Sequence, residues 1–321
     1  MATEDGNAQV AADATEALGR VSLVIASFRN DEAILALLAQ VYAGATRSPF
    51  HSVRIVDSLG TGRVPEAIRS AGYEKVSYFN SPTNLGSAGN FATRLRDAAQ
   101  TDADHAYAIN HDYGHVDLDA VRALLRHTEQ TPRLGAVYPL RRFTMRGGRF
   151  RETGRSAIPW PSRGQLQRPP PTPVDVSWGS SNGALYALAP VRAGLAPWDD
   201  LWMGWEDLGY GWLLEQQGYR QILARDVVVD EDYESVEKRI GPFAVHVSDK
   251  PAWYAYYGAR NLVLIGKRVG TPARAVGLAA IMIKDSITNL VARGAKQDRA
   301  ALVVSGLRDG LLNRSGKWVR P

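Results

Sequence analysis

Near the start of the chain, short apolar runs alternate with helical patterns, and this limits the possible folds more than any other feature. Residues 21–26, 53–56, 75–79 and 105–109 are the apolar runs, and residues 33–41, 65–70, 91–99 and 118–127 carry the helical spacing. Strands so short and apolar are buried on both faces, and strands joined through helices pair in parallel. The alternation therefore predicts an α/β fold, a mostly parallel sheet flanked by helices. Strands are also expected at 174–178, 184–189 and 227–229, and C-terminal helices at 252–268, 273–292 and 300–312.

With 321 residues, 45% of them apolar and 22% charged, the chain suits one large globular unit with appendages. It has no cysteine, which excludes disulfides and thiolate metal sites. Residues 1–19 contain no Lys or Arg and no apolar run, so they read as a disordered tail and not as a secretory signal. No apolar stretch reaches the ~18 residues of a membrane span, and a soluble, cytoplasmic protein is expected. Residues 141–173 hold eight arginines, one glutamate and a Pro-Pro-Pro run, the composition of a long loop acting as a lid or meeting an acceptor. The expected organisation is a tail at 1–19, a main domain at 20–268 and a basic helical extension at 269–321. From Thr271 to Pro321 there are nine Lys/Arg against three Asp, a net of +6 where the whole chain carries +5. Such a segment suits an anionic lipid surface, peripheral at the inner face of a membrane, or another anionic polymer; a solvated helix surface accounts for it equally. No motif points specifically to nucleic acid.

Four stretches carry chemistry. Asp57 ends an apolar run at the carboxyl edge of the predicted sheet, where open α/β sheets bind ligands; a turn-forming aspartate explains it as well. Asn84-Leu-Gly86-Ser-Ala-Gly89-Asn90 puts small residues at a helix mouth, whose free N–H groups suit polar or anionic ligands. It matches neither a dinucleotide fingerprint nor a phosphate loop. Asn110-His111-Asp112 closes the fourth strand with oxygen ligands for a hard divalent cation, His111 pointing away by strand alternation. Trp202-Met-Gly-Trp205-Glu206-Asp207 joins aromatics, on which sugars stack, to carboxylates able to deprotonate a hydroxyl. Helix-dipole stabilisation is the plainer account of those two acids.

In this order the stretches resemble the family 2 glycosyltransferases of the GT-A fold, and among them the bacterial rhamnosyl- and galactofuranosyltransferase relatives. The likeness runs from about Val21 to Arg268 through Ser27-Phe-Arg29-Asn30, Val56-Asp57, Asn84-Leu-Gly86 with Asn90, Asn110-His-Asp112, Glu206-Asp207 and Tyr256-Tyr-Gly-Ala-Arg260-Asn261. The resemblance implies an inverting, metal-assisted transfer of a sugar from a nucleotide-diphospho-sugar, with a UDP or dTDP donor, to a hydroxyl of a glycan, lipid-linked or small-molecule acceptor. It implies a nucleotide pocket of Ser27, Arg29, Asp57, Asn84, Gly86 and Asn110, and a Mn²⁺ or Mg²⁺ ion on Asp112. Asp207 becomes the base beside Glu206, with Trp202 and Trp205 toward the acceptor. Asn110 departs from the family's metal motif, and Asp230, just past the late strand, is the expected compensating ligand. Two other readings stay open, a non-catalytic nucleotide-sugar-binding relative and a nucleotidyltransferase.

Overall fold

The computed structural model describes residues 18–143, 149–151, 154, 170–231, 235–240, 243–248, 250–280, 283 and 299–318. The predicted alternation is realised from the first strand onward. β1 (Val21–Phe28), β2 (Ser52–Ser58), β3 (Val76–Ser81) and β4 (His105–Asn110) are separated by α1 (Asp31–Tyr42), α2 (Arg63–Ala71) and α3 (Gly86–Ala99), with α4 (Leu118–Glu129) after β4. All four strands pair in parallel, in the order β3-β2-β1-β4. Two of these helices begin at a side-chain cap: Asn30 accepts from the Ala33 N–H, and Asp117 from the Asp119 and Ala120 N–H groups.

The sheet then continues through β8 (Ala184–Ala187), β5 (Leu134–Phe143), β9 (Arg220–Glu231) and β7 (Val174–Asp175), with β6 (Arg149–Arg151) paired to β5. Since β8 runs against both β4 and β5, and β9 runs with β5, six strands point one way and β6, β7 and β8 oppose them. A separate hairpin joins β10 (Ser235–Ile240) to β11 (Phe243–Ser248). Both faces of the main sheet are packed. Val21, Leu23 and Ile25 meet α1 and α4 on one side, while Val24, Phe91 and Leu95 lie in the core on the other.

Three expectations change. Leu18 is fully buried and the Gly19 carbonyl accepts from His51 Nδ1 at 3.1 Å, so the packed chain starts before residue 20. The segment from 141 does not open as a loop; β5 runs to Phe143 and turns back as β6, because its edge pairs with β9 as far as Glu231. Most of the remaining Arg/Pro-rich stretch lies outside the described residues, as do residues 1–17 and most of 281–298. The third change concerns the C-terminal extension, which packs on the domain. α6 (Trp253–Arg268) carries α7 (Arg299–Leu311) across a contact so close that a Cβ at Gly306 falls 2.2 Å from the Tyr256 carbonyl oxygen, and one at Gly310 falls 2.7 Å from that of Arg260. Small residues four apart let two helix backbones touch in this way.

Candidate active site

The strand order places the carboxyl ends of β2, β1 and β4 side by side, and α3 and α5 (Glu206–Gln216) start at the same edge. Asn90 on α3 ties the helix to the sheet, its amide donating to the Val56 carbonyl at 2.8 Å and the Ser27 carbonyl at 3.4 Å. Asp57 and Ser27 are opposite each other in register and both are buried. The Tyr78 hydroxyl donates to Asp57 Oδ2 at 3.0 Å, whereas Asp57 Oδ1 and Ser27 Oγ have no hydrogen bond of good geometry. Burial raises the Asp57 pKa, with the Tyr78 and Ser27 hydroxyls working against the rise. Gly60 presses on this carboxylate so closely that a Cβ there is 2.3 Å from Oδ2. Asp31, not among the expected site residues, is also buried here; Thr61 donates to its Oδ2, and its Oδ1 has no hydrogen bond of good geometry. Arg29 is exposed at the rim, its backbone in the left-handed region.

Asn84 and Gly86, expected on the nucleotide side, also carry a contact between loops. The Asn84 side chain accepts from the Gly86 N–H at 2.9 Å, and Gly86, at φ +69°, lies against the Trp202 carbonyl. These two residues dock one loop on another. Their shared partner Trp202 is buried, tilted at 47° against Tyr257 with ring centroids 4.6 Å apart, and its indole N–H donates to the Asn84 carbonyl at 3.2 Å. Trp202 therefore holds the turn and offers no open face to an acceptor. Trp205 is partly exposed, edge-on to Trp178 at 6.0 Å.

The turn before α5 is conformationally costly. Trp202, Gly204 and Trp205 all have positive φ, at 59°, 83° and 64°, and bulky residues there are outliers of order 1–3 kcal/mol each. What holds it is the Tyr256–Asn261 motif. The Asn261 amide donates to the carbonyls of Leu201, Met203 and Gly204 at 3.0, 2.8 and 2.8 Å. Buried Arg260 donates to the Leu201 carbonyl at 2.6 Å and to Gly316, and stacks over Tyr257. The chain near the C-terminus closes the arrangement, as the Gly316 N–H donates to the Asp200 carbonyl at 2.6 Å and the Trp318 N–H to the Tyr257 hydroxyl.

This turn presents Glu206 and Asp207 in the first turn of α5. Asp207 Oδ1 accepts from the Leu208 N–H at 2.8 Å, and Glu206 Oε2 is buried without a hydrogen-bond partner. Burial, then the charge of Glu206, pushes the Asp207 pKa up to about 7, with Lys250 pulling it back. Three residues not foreseen surround the pair. Tyr254 is pushed up to about 12 by burial, next to Lys250, which sits over its ring at 4.2 Å. Arg94, fully buried on α3, donates to the Ile109 carbonyl at 2.6 Å and reaches Asn110 Oδ1 at 3.4 Å. Its pKa falls to about 10 through burial, resisted by the charges of Tyr186 and Glu206. Arg94 thus connects the fourth strand to the acidic pair. An arginine among the small and apolar residues of this helix, one turn after Asn90, was the sequence signal available for it.

At the end of β4 the Asn110 N–H donates to Asn182 Oδ1 at 2.8 Å, and Asp112 is exposed on a 3-10 turn, His111–Tyr113. No cluster of three His, Asp or Glu that could hold a metal occurs among the described residues. Asp230 stands within β9 opposite Arg142, and both its oxygens accept from that guanidinium, at 2.6 and 2.8 Å. The hydrogen bonds from Arg142 hold its carboxyl below the usual range. Glu231 instead lies 3.7 Å from buried Arg141 and acts electrostatically on Tyr113, on the turn bearing Asp112. Because the Arg142–Asp230 pair is about half exposed, Asp230→Ala is expected to cost less than about 1 kcal/mol in urea unfolding.

No protein-family model matches the chain, and no curated protein is similar to it. Solved structures are. A mannosyltransferase from Pyrobaculum calidifontis, in complex with GDP-mannose and Mn²⁺, is 16% identical with a TM-score of 0.53, covering 91% of this chain and 80% of that one. Residues 1–349 of S. aureus TarS, in complex with UDP-GlcNAc, are 11% identical with a TM-score of 0.55, over 91% and 80% of the two chains. GalNAc-T7 with UDP, GalNAc and Mn²⁺ is 13% identical at 0.50, covering 77% of this chain and 47% of the other.

Proposed function

We propose that this chain, whose fold is GT-A, is a glycosyltransferase that moves a sugar from a nucleotide-diphospho-sugar to an acceptor hydroxyl with inversion. The observation that carries the reading is where buried, unsatisfied polar atoms gather. Ser27 Oγ, Asp57 Oδ1 and Asn90 Oδ1 at the ends of β1 and β2 and the start of α3, and Glu206 Oε2 on α5, lie at one sheet edge without a hydrogen bond of good geometry, Ser27 and Asp57 facing each other. Buried polar groups without partners cost of order 1–3 kcal/mol each, and a ligand supplying donors removes that cost. Asp57 and Ser27 face the nucleoside, as the UDP- or dTDP-type donor requires; the solved neighbours bind GDP-mannose and UDP-GlcNAc.

In this scheme Asp207 accepts the proton of the acceptor hydroxyl as its oxygen bonds to the anomeric carbon. The bond from that carbon to the diphosphate oxygen breaks, and the nucleoside diphosphate leaves with the electron pair. A pKa near 7 lets Asp207 take that proton at neutral pH and release it to water afterwards. Arg94 holds positive charge beneath the same edge. Retained configuration of the product would exclude the single displacement.

A divalent cation fits as a companion of the donor, not as the occupant of a finished cage. Asp112 supplies one exposed carboxylate and Asn110 a neighbouring amide, and Mg²⁺ or Mn²⁺ completes such a shell with phosphate oxygens and water. When bound it offsets charge on the diphosphate. Asp112→Ala is expected to weaken metal-dependent binding of a nucleoside diphosphate at least about tenfold while the melting temperature stays unchanged. Equal affinity in both proteins, measured calorimetrically with Mn²⁺ present, removes Asp112 from the metal. Asp230 reaches that ion only by leaving Arg142, so in Asp230→Ala the half-maximal metal concentration is expected to hold within about twofold. The reaction itself is tested by incubating the protein with a panel of nucleotide-sugars and Mn²⁺ and following release of nucleoside diphosphate. Release from none of them, with normal folding, favours the non-catalytic reading.

A further inference from the structure

The basic C-terminal segment was left with two accounts, and its outward surface separates them. Among the described residues, eight large hydrophobic side chains are exposed, and six of them fall in the last part of the chain: Val276, Ile283, Val304, Leu311, Leu312 and Trp318. Their exposure runs from 41% for Ile283 to 68% for Val276. On the helix at residues 272–280 the buried Ala275 and Leu278 face the core, Ala275 lying where a Cβ on Gly266 would approach to 2.4 Å. Ala273, Val276 and Ala280 are exposed, three and four residues apart, with exposed Ile283 continuing that spacing. α7 repeats the pattern, with Val303, Gly306 and Gly310 turned inward and Val304, Arg308 and Leu311 outward. Ordinary surface helices carry the reverse arrangement, polar outside. A merely solvated face does not explain apolar residues at helical spacing on the outside of two helices that both pack on α6.

The charge decides between possible occupants. Residues 271–321 carry a net +6, leaving −1 for the rest of the chain. A second copy of the same face would bring like charge against like, while an anionic bilayer meets both the apolar stripe and the positive charge. No helix among the described residues is long and apolar enough to cross a membrane, so the contact is peripheral. We infer that Val276, Ile283, Val304, Leu311, Leu312 and Trp318 form a docking surface for an anionic lipid bilayer, entering its headgroup region while Arg308, Arg314 and Lys317 meet lipid phosphates. This inference does not depend on the proposed glycosyl transfer.

The test is sedimentation of the full chain with vesicles of phosphatidylglycerol and phosphatidylcholine, mixed or of phosphatidylcholine alone. Binding is expected to the anionic vesicles, to fall steeply as salt is raised, and to be at least about tenfold weaker on phosphatidylcholine. Val304→Asp combined with Leu311→Asp is expected to lower the partition coefficient at least about tenfold. This change touches none of the residues proposed for catalysis, and an unchanged melting temperature reports that the variant is folded. Equal binding by the double variant, or no binding by the parent chain to anionic vesicles, overturns the inference. So does a concentration-dependent dimer, by analytical ultracentrifugation, that the double variant abolishes while lipid binding is absent.

Discussion

Asp207→Asn is expected to lower turnover by about 10²–10⁴-fold, the usual cost of a lost general base, while donor affinity changes by less than about threefold. The same substitution is expected to stabilise the protein. In the folded chain the Asp207 pKa is about 7, well above an unfolded aspartate near 3.9. Between these values the folded state binds the extra proton, so raising the pH through that window costs stability. Asparagine keeps the acceptor for the Leu208 N–H and removes the buried charge. Above pH 7 the variant should therefore gain on the order of 1–3 kcal/mol, and its stability should vary less between pH 4 and 7. The parent's kcat/KM should rise with pH through about 7, a limb absent from the residual rate of the variant. Chemical denaturation at pH 5 and pH 8, together with turnover and donor titration, checks all three. A destabilised variant with normal turnover would show that the carboxylate is structural.

The second large effect belongs to a backbone contact. Gly86→Ala is expected to destabilise the fold by about 3–5 kcal/mol, since the new Cβ is placed 2.0 Å from the Trp202 carbonyl oxygen at a φ of +69°. That carbonyl also accepts from the Ala88 N–H at 3.1 Å, so separating the two loops breaks the start of α3 along with the turn before Glu206. Gly44 gives the control. It also has positive φ, at 82°, but nothing lies within 4 Å of its Cβ position, and alanine there should cost only the backbone strain, about 1–2 kcal/mol. Similar urea midpoints for the two variants would mean that the loops separate without penalty.

The parallel half of the sheet was legible because each strand there is an apolar run with helices on both faces, which leaves a strong pattern. The helix spanning 253–268 and the start of the one at 299 also matched within a residue or two. The end of β5 was read as loop because the strand continues through Arg141 and Arg142, charges that are held by Asn182, Glu231 and Asp230. In the site, the carboxylates could be picked out one by one, as Asp57 and Glu206–Asp207 were. Their supports could not. Tyr78, Arg94 and Lys250 act from elements distant in sequence, and the environment that raises Asp207 exists only after those elements pack. The aromatic at Trp202 was misread for the same reason. In sequence it stands between two acidic pairs, Asp199–Asp200 and Glu206–Asp207, while its spatial neighbours are Tyr257 and Trp253.

The closure of the strained turn by Gly316 and Trp318 bears on the timing of synthesis. Residues 201–207 are synthesised more than a hundred residues before their last fasteners, a gap of roughly 5–20 s at typical elongation rates. During that interval the parallel half of the sheet has every partner it needs, whereas the acidic pair stands on an unfastened loop. The nascent chain should thus acquire its nucleoside pocket first and its proton-accepting geometry last. A ribosome-arrested chain ending near residue 300 would bind nucleotide without yet being able to turn it over.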